Sequence, residues 1–268
     1  MTKCFIGGVG FIAINFALTI VSWTSTAPNN TTLSELPEDS LYTNHITDLY
    51  KSAHLEESGL NPSVFEKAVT GFYNLKKNGD VSSDKSILTI ADFDLNSTKK
   101  RLWIIDLNKK KVLLNTWVAH GQRSGSDIAR HFSNSNNSFQ SSIGFYLTGE
   151  VYYGQHGRSL RLDGMDEGYN SNARKRSIVV HGADYVSQET INSLGRLGRS
   201  QGCPAVAPEV ANIVINTIEG KNVLFINVSD QPYTSRYLDE HLAAMYTAAS
   251  FNHTDTIDSN QVDSLLTI

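Results

Sequence analysis

Cysteine is scarce in this sequence, which has two, Cys4 and Cys203, among 268 residues. Neither a C-x-x-C nor an H-x-x-x-H spacing occurs, so the sequence predicts no zinc site. A redox-active dithiol is not expected either, because a thiol redox protein usually needs a second, resolving cysteine. We expect no metal and no other cofactor.

Basic charge is also limited, with 23 Lys and Arg against 27 Asp and Glu and a net charge of −4. No run of Lys and Arg is long enough to follow a phosphate backbone, so nucleic acid is not an expected partner. The short run at 108–111 fits a turn between two strands. The length allows one sizeable domain with appendages.

The most apolar segment is at the N-terminus. Lys3 precedes Phe5–Val21, which carries no charged side chain, and Ser25 and Ala27 supply small residues for cleavage. Residues 1–27 are therefore predicted to be a signal peptide, with export to the periplasm or cell envelope. The alternative is membrane attachment through an uncleaved anchor, because the apolar run approaches the length that spans a bilayer. Residues 28–44, rich in Ser, Thr, Asn and Pro, are expected to be a flexible linker.

Two helices are predicted over residues 45–80. Leu49, Leu55 and Leu60 suggest a short first helix. Asn61-Pro62 opens a second helix, which is expected to end near Gly79. The apolar side chains of this second helix share one face; they are Val64, Phe65, Ala68, Val69, Phe72 and Leu75.

From residue 87 the apolar period changes to two, which indicates strands. Strands are predicted at 87–90, 101–106, 112–118, 144–147, 160–162, 178–181 and 223–228, and helices at 189–194 and 208–219. Many strands and few helices predict a β-rich α+β domain with peripheral helices behind the N-terminal helical pair. Residues 229–268 form a C-terminal extension, with a helix expected at 238–249.

Cys203 lies in a glycine-bracketed segment, residues 198–204, and His181 lies 22 residues before it. A thiol becomes a nucleophile when an imidazole accepts its proton and backbone N–H groups stabilise negative charge. Gly202 gives the backbone the freedom that an oxyanion hole requires. A strand carrying His181 and a turn carrying Cys203 would bring the pair together.

The pair His181-Gly182, followed by Ser200-Gln201-Gly202-Cys203, resembles the murein L,D-transpeptidase catalytic domain, or YkuD-like, family. The similarity extends over about residues 87–225 and includes the segments 118–121, 132–134, 141–146 and 154–157. Two positions depart from the common pattern. Many members have His where this chain has Gln201, and Arg where it has Ala205.

The resemblance implies an L,D-transpeptidase-type β-sandwich or barrel core over residues 87–228 and a substrate, the stem peptides of peptidoglycan. Cys203 would be the nucleophile and His181 its base. The carbonyl of Gly182 would orient the imidazole, and the N–H groups of Gly202 and Cys203 would form the oxyanion hole. The residues expected to contact substrate are Ser200, Arg199, His120, His156 and Tyr185. Carbapenem-type lactams are implied as inhibitors.

Several functions remain open at this point. The leading one is an exported L,D-transpeptidase, and the alternatives with the same nucleophile are an L,D-carboxypeptidase and an endopeptidase. A catalytically inert peptidoglycan-binding module is a further alternative, against which the intact His181 and Cys203 count. Arg199 is expected to replace the positive charge that the family often places at position 205, with Arg176 as the second candidate.

Overall fold

The computed structural model describes residue 1 and residues 38–250. The predicted signal peptide or anchor, most of the linker and the end of the tail lie outside the described residues. Within 38–250, no helix is long and apolar enough to cross a membrane.

Two helices precede the sheet, α1 (Glu38–Ser52) and α2 (Pro62–Lys77). The Asn61 side chain caps α2 by accepting from the Ser63 N–H at 2.9 Å. Helix α1 begins inside the segment that was expected to be a linker, and this part of the expectation was wrong. The reason is packing: Tyr42, Ile46 and Leu49 lie on one face of α1 and are buried in the core that contains the apolar side chains of α2.

Eight strands form one sheet in the order β3-β2-β1-β8-β4-β5-β6-β7. Strands β1 and β8 are parallel at its centre, β6 and β7 are parallel at one edge, and the other pairs are antiparallel. The strands are β1 (Ile87–Asp92), β2 (Leu102–Asp106), β3 (Lys111–Thr116), β4 (Gly144–Gly154), β5 (Gly157–Gly164), β6 (Val179–Gly182), β7 (Ala205–Val206) and β8 (Val223–Asn227).

Seven of these strands overlap the seven that alternation predicted, and residues 108–110 lie between β2 and β3 as expected. Strand β4 is longer than predicted, because its second half pairs with β5 alone and forms a hairpin with a tip at 155–156. Strand β7 was not predicted.

Helices cover both faces of the sheet. Alternate residues of the central strands point to opposite cores, so Phe225 joins the core that contains α2 while Leu224 joins the core of α4 (Pro208–Ile218). A further short helix, α3 (Gln188–Leu194), follows β6. The predicted helices at 189–194 and 208–219 are confirmed.

The chain after β3 nearly closes the sheet. Ala119 bridges Ala205 of β7, and Gly121 bridges Ser200. The β-rich α+β fold with peripheral helices and an N-terminal helical pair is therefore confirmed. The pairing of β6 with β7 also places the residues that follow Cys203 beside the strand that carries His181.

The C-terminal extension packs on the domain as far as it is described. A turn at Arg236–Leu238 precedes a helix over residues 240–250, close to the predicted helix. Tyr237 is fully buried in the α2 core, and its carbonyl accepts from Asn74 Nδ2 at 2.8 Å. Tyr233 donates from its hydroxyl to Asp166 Oδ2 at 2.7 Å. These contacts anchor the extension at two points.

Candidate active site

A cavity of about 420 Å³ lies at the edge of the sheet where β6 and β7 meet. Six of the nine residues that the sequence proposes for the site line it, namely Cys203, His181, Ser200, Arg199, His156 and Tyr185. Strand β6 supplies His181, and its pairing partner Ala205 lies two residues after Cys203. The register of two short strands thus brings the thiol and the imidazole to one cavity, as expected.

His181 is held as a neutral base. Its Nδ1 atom lies 2.9 Å from the carbonyl oxygen of Gly182. Since a carbonyl can only accept, Nδ1 carries the proton and Nε2 is left as an acceptor. Burial lowers the pKa of His181, and the hydrogen bond to Gly182 opposes that shift. The arrangement predicted for Gly182 is present in the structure.

Cys203 carries a thiol that is protonated at rest. Desolvation raises the pKa of Cys203, while the Val179 N–H and the Arg176 charge act in the opposite direction. The thiol makes a long contact of 3.7 Å with the carbonyl oxygen of Ser177. A thiol with a raised pKa needs a base to remove its proton before it can act as a nucleophile, and the neutral imidazole of His181 lines the same cavity.

Ser200 and Gly202 fix the turn before the thiol. Ser200 Oγ donates to the carbonyl oxygen of Cys203 at 2.6 Å and accepts from the N–H of Gly202 at 3.0 Å. Gly202 has φ +124°, and a Cβ there would lie 2.7 Å from the carbonyl oxygen of Gln140. Only glycine fits this position without strain.

This turn changes the expected oxyanion hole. The Gly202 N–H is already bonded to Ser200, so it is not free to receive an oxyanion. The N–H of Cys203 makes no hydrogen bond within residues 38–250. It is therefore the better-placed donor of the two that were expected.

Arg176 is the guanidinium beside the thiol, and it is tightly held. It lines the cavity, and its Nη2 atom lies 3.3 Å from the Cβ position of Gly202. Its four hydrogen bonds go to the segment 133–142, with acceptors Ser133 O, Ser142 Oγ, Ser138 Oγ and Gln140 O. Sequence reasoning treated Arg176 as a second candidate only. Its position just before a strand was the one available signal.

Arg199 also lines the cavity, from the other side of the turn. Its Nη1 atom donates to the carbonyl oxygens of Gln122 at 3.3 Å and Gly125 at 2.8 Å. Ala205, where the family often has Arg, is fully buried beside Ala119 in a small apolar cluster. An arginine at 205 would not fit this packing. That Arg199 supplies a replacement charge stays a prediction.

His156 and Tyr185 form one wall of the cavity. His156 stacks on His181, with ring centroids 4.2 Å apart and planes inclined by 19°. Desolvation, together with the nearby Cys203 thiol, raises the pKa of Tyr185 to about 12. Tyr185 is therefore a neutral hydrogen-bonding group at physiological pH.

His120 does not reach the cavity, which corrects the expectation that it contacts substrate. It is 1% exposed, and its Nδ1 atom accepts from Arg101 Nη2 at 2.7 Å. Burial, with Arg101 next to it, lowers the pKa of His120 to about 3. Its carbonyl oxygen accepts from the Ser200 N–H at 3.0 Å, so it supports the turn from behind.

Within residues 38–250, no group of three or more His, Cys, Asp or Glu side chains could hold a metal ion. The cavity brings together a thiol, a neutral imidazole, a free backbone donor and two guanidinium groups.

Comparison with known proteins gives a family match. The chain matches the L,D-transpeptidase catalytic domain family over residues 56–227. That match starts before α2, so it includes most of the helical segment as well as the strands. A comparison with curated protein sequences gives no match.

Solved structures with some similarity include three bacterial proteins. An L,D-transpeptidase from Mycobacterium smegmatis has 13% identity, 53% coverage of this chain, 59% coverage of its own and a TM-score of 0.34. The helical cell shape determining protein Pgp2 from Campylobacter jejuni has 12% identity, 67% coverage of this chain, 61% coverage of its own and a TM-score of 0.37. L,D-transpeptidase 3 from Mycobacterium tuberculosis, in complex with a faropenem-derived adduct, has 12% identity, 53% coverage of this chain, 60% coverage of its own and a TM-score of 0.33. The chain spans about three-fifths of the length of each.

Proposed function

The chain belongs to the L,D-transpeptidase catalytic domain family, and on this premise we propose that it is an exported cysteine acyltransferase acting on peptidoglycan stem peptides. The observation that carries the proposal is the shared cavity of Cys203 and His181, in which Nε2 of the neutral imidazole is left as a proton acceptor. The family membership supports a peptidoglycan-modifying enzyme, and the export rests on the apolar N-terminal segment.

In the acylation step, His181 Nε2 takes the proton of the Cys203 thiol while the sulfur attacks a carbonyl carbon. The carbonyl belongs to the bond between the diamino acid and the following D-alanine of a donor stem. The N–H of Cys203 donates to the oxygen that becomes negative. His181 then returns its proton to the leaving D-alanine nitrogen, and an acyl-thioester remains on Cys203.

In the second step, an amine of another stem peptide attacks the thioester. His181 accepts the proton of that amine, and the thiolate leaves and is reprotonated. Transfer to an amine gives a cross-link and defines the transpeptidase. Water in the same position gives the carboxypeptidase. If the bond that Cys203 attacks in the first step is an existing cross-link, and water then attacks the thioester, the activity is that of an endopeptidase.

Lactam binding follows from the same chemistry. A strained lactam presents a carbonyl to the thiol, and opening of its ring leaves the drug attached as a thioester. A faropenem-derived adduct is named for one of the similar structures. We therefore include carbapenem-type lactams among the expected ligands of Cys203.

The test is to incubate the purified protein with disaccharide-tetrapeptides and to identify products by mass spectrometry. Cross-linked dimers with release of D-alanine support transpeptidation, and disaccharide-tripeptides alone support the carboxypeptidase. A Cys203→Ala variant is the control for contaminating activity. The enzyme proposal fails if neither product forms and no thioester is trapped on Cys203 while the thiol is shown to be reduced. An inert binding module would then be favoured if the protein still bound peptidoglycan.

A further inference from the structure

His156 lies at the tip of the β4–β5 hairpin, outside the main body of the sheet. Strand β8 pairs with β4 only over residues 144–147, so the outer half of the hairpin is free of that neighbour. The tip is closed by the pair Gly154 and Gly157. His156 is itself exposed, which is unusual for a residue in contact with a buried catalytic base.

The contact between His156 and His181 is a face-to-face stack. The ring centroids are 4.2 Å apart and the planes are inclined by 19°. His181 is only 1% exposed although its neighbour is open to solvent. His156 therefore covers the outer face of the His181 ring.

The other restraint on His181 is local. Its Nδ1 atom is bonded to the carbonyl of the next residue, Gly182, rather than to a carboxylate on another element. No salt bridge to His181 is formed in the described part of the chain. A single hydrogen bond at Nδ1 does not fix the plane of the imidazole ring, which can still turn about that bond. The plane is therefore limited by the groups that contact the ring faces.

We propose that His156 is a positioning residue, whose ring holds the plane of His181 so that Nε2 points at the Cys203 thiol. The proposal rests on the proposed function, because it gives His181 the role of base. It differs from a substrate-binding role, which the resemblance suggested for His156. A positioning residue affects the rate of the chemical step, whereas a substrate contact affects the affinity for substrate.

His156 also lines two cavities. It lines the cavity of about 420 Å³ that holds Cys203 and a second one of about 530 Å³ on the Gly182 side. Gln155 and Tyr185 line both cavities as well. Tyr153 is a matched control, since it lies on the same hairpin and is 81% exposed but lines neither cavity.

The test compares His156→Ala, His156→Phe and Tyr153→Ala in single-turnover acylation by a disaccharide-tetrapeptide. We expect His156→Ala to lower the maximal acylation rate constant by roughly 10- to 100-fold, the size of effect that small misplacements of a catalytic group cause. The concentration of donor giving half the maximal rate should not change. His156→Phe, which keeps an aromatic face, should recover the rate to within about threefold, and Tyr153→Ala should behave as wild type.

A second readout needs no peptidoglycan substrate. The rate of Cys203 alkylation by iodoacetamide at neutral pH reports on proton removal by His181, and it should fall in His156→Ala and recover in His156→Phe. This keeps the two proposals apart: if the wild type forms no thioester with the donor, the proposed function fails, while the alkylation series still tests the stack. Melting temperatures equal to wild type would show that the variants are folded.

Three outcomes would overturn the positioning role. The first is a weaker donor affinity with an unchanged maximal rate in His156→Ala, which would indicate substrate binding. The second is a Phe variant as slow as the Ala variant, which would indicate that a polar atom of His156 is required rather than its ring face. The third is wild-type acylation and alkylation in all variants.

Discussion

The hydroxyl of Ser200 donates to the carbonyl oxygen of Cys203 at 2.6 Å and, in the same turn, accepts the N–H of Gly202. Its one donor and one of its two acceptor positions are therefore used within the turn. Ser200 also lines the cavity, and its contact with substrate stays a prediction. A rigid turn sets the direction of the Cys203 side chain before any substrate is present.

Replacement of the nucleophile should abolish turnover without unfolding the protein. A hydroxyl is a far poorer nucleophile than a thiolate, and the base in this site is matched to a thiol. Cys203→Ser should therefore give no product from disaccharide-tetrapeptides, with a circular dichroism spectrum and melting temperature like those of the wild type. Product formation at a rate comparable to wild type would refute the assignment of Cys203.

Gly202→Ala should damage both the turn and the activity. The change places a methyl group 2.7 Å from the Gln140 carbonyl at φ +124°. Such a conformation should cost about 1–3 kcal/mol of unfolding free energy. Gly168→Ala is the matched control, because Gly168 also has a positive φ, +80°, but has open space around its Cβ position. Urea titration and acylation rates should show a clearly larger loss for Gly202→Ala; equal losses would mean that the close approach to Gln140 has no role.

Arg199 is expected to contribute to donor recognition or to steady its loop. Removing a charge-assisted contact typically costs about 1.5–3 kcal/mol. Arg199→Ala should then lower kcat/KM for acylation by roughly 10- to 100-fold, and Arg199→Lys should recover only part, because an ammonium cannot form the planar fork.

Arg176→Met is the comparison for Arg199→Ala. Since Arg176 makes four hydrogen bonds to the segment 133–142, its loss should lower the melting temperature as well as the rate. If both Arg199 variants acylate at the wild-type rate and Arg176→Met acylates slowly, the positive charge needed for donor recognition would be assigned to Arg176.

The buried His120 predicts a loss of stability in acid. Its pKa in the folded protein, about 3, lies below the ordinary value of 6.5. Below pH 6.5, His120 is therefore protonated in the unfolded chain but not in the folded chain. The contribution of His120 to the unfolding free energy, which is fully present above pH 6.5, is lost as the pH falls below that value. His120→Asn keeps an acceptor for Arg101 but does not titrate in this range. Between about pH 7.5 and about pH 5, the unfolding free energy of the wild type should fall by up to about 2 kcal/mol more than that of the variant. Equal pH dependence by urea titration would show that His120 does not carry this effect.

A carbapenem should acylate Cys203. Intact-mass measurement should show a gain of one drug mass, and the adduct should map to the peptide containing Gly202-Cys203-Pro204. The Cys203→Ser protein is the control and should gain no mass under the same conditions. Absence of an adduct after long exposure, with the thiol shown to be reduced, would contradict the cavity chemistry proposed for this site.

Much of the fold follows from local sequence pattern. Seven strands could be located from sequence, and the central ones are short apolar runs whose alternate side chains pack on opposite cores, as Leu224 and Phe225 illustrate. Strand β7 was not predicted because a strand of two residues is too short to show an alternating pattern. It exists through its neighbours, with β6 on one side and the bridge from Ala119 on the other.

The site was predictable where chemistry alone identifies a residue. Cys203 and His181 stand out by type and by the glycines around them. His120 and Arg176 could not be ranked from sequence, since the first is buried against Arg101 and the second is held by a segment more than thirty residues away. The stack of His156 on His181 depends on a hairpin tip folding back over β6, which no local pattern encodes.

The parallel pairing of β1 with β8 has a consequence for how the molecule is made. Leu88 is the register partner of Val223, so the centre of the sheet joins residues near opposite ends of the domain. Contacts of such long sequence separation form late, because the entropy of closing the loop must be overcome first. Both Cys203 and His181 lie inside this loop. A growing chain that lacks β8 therefore carries Cys203 before the centre of the sheet has formed, and we expect activity only once β8 has paired with β1.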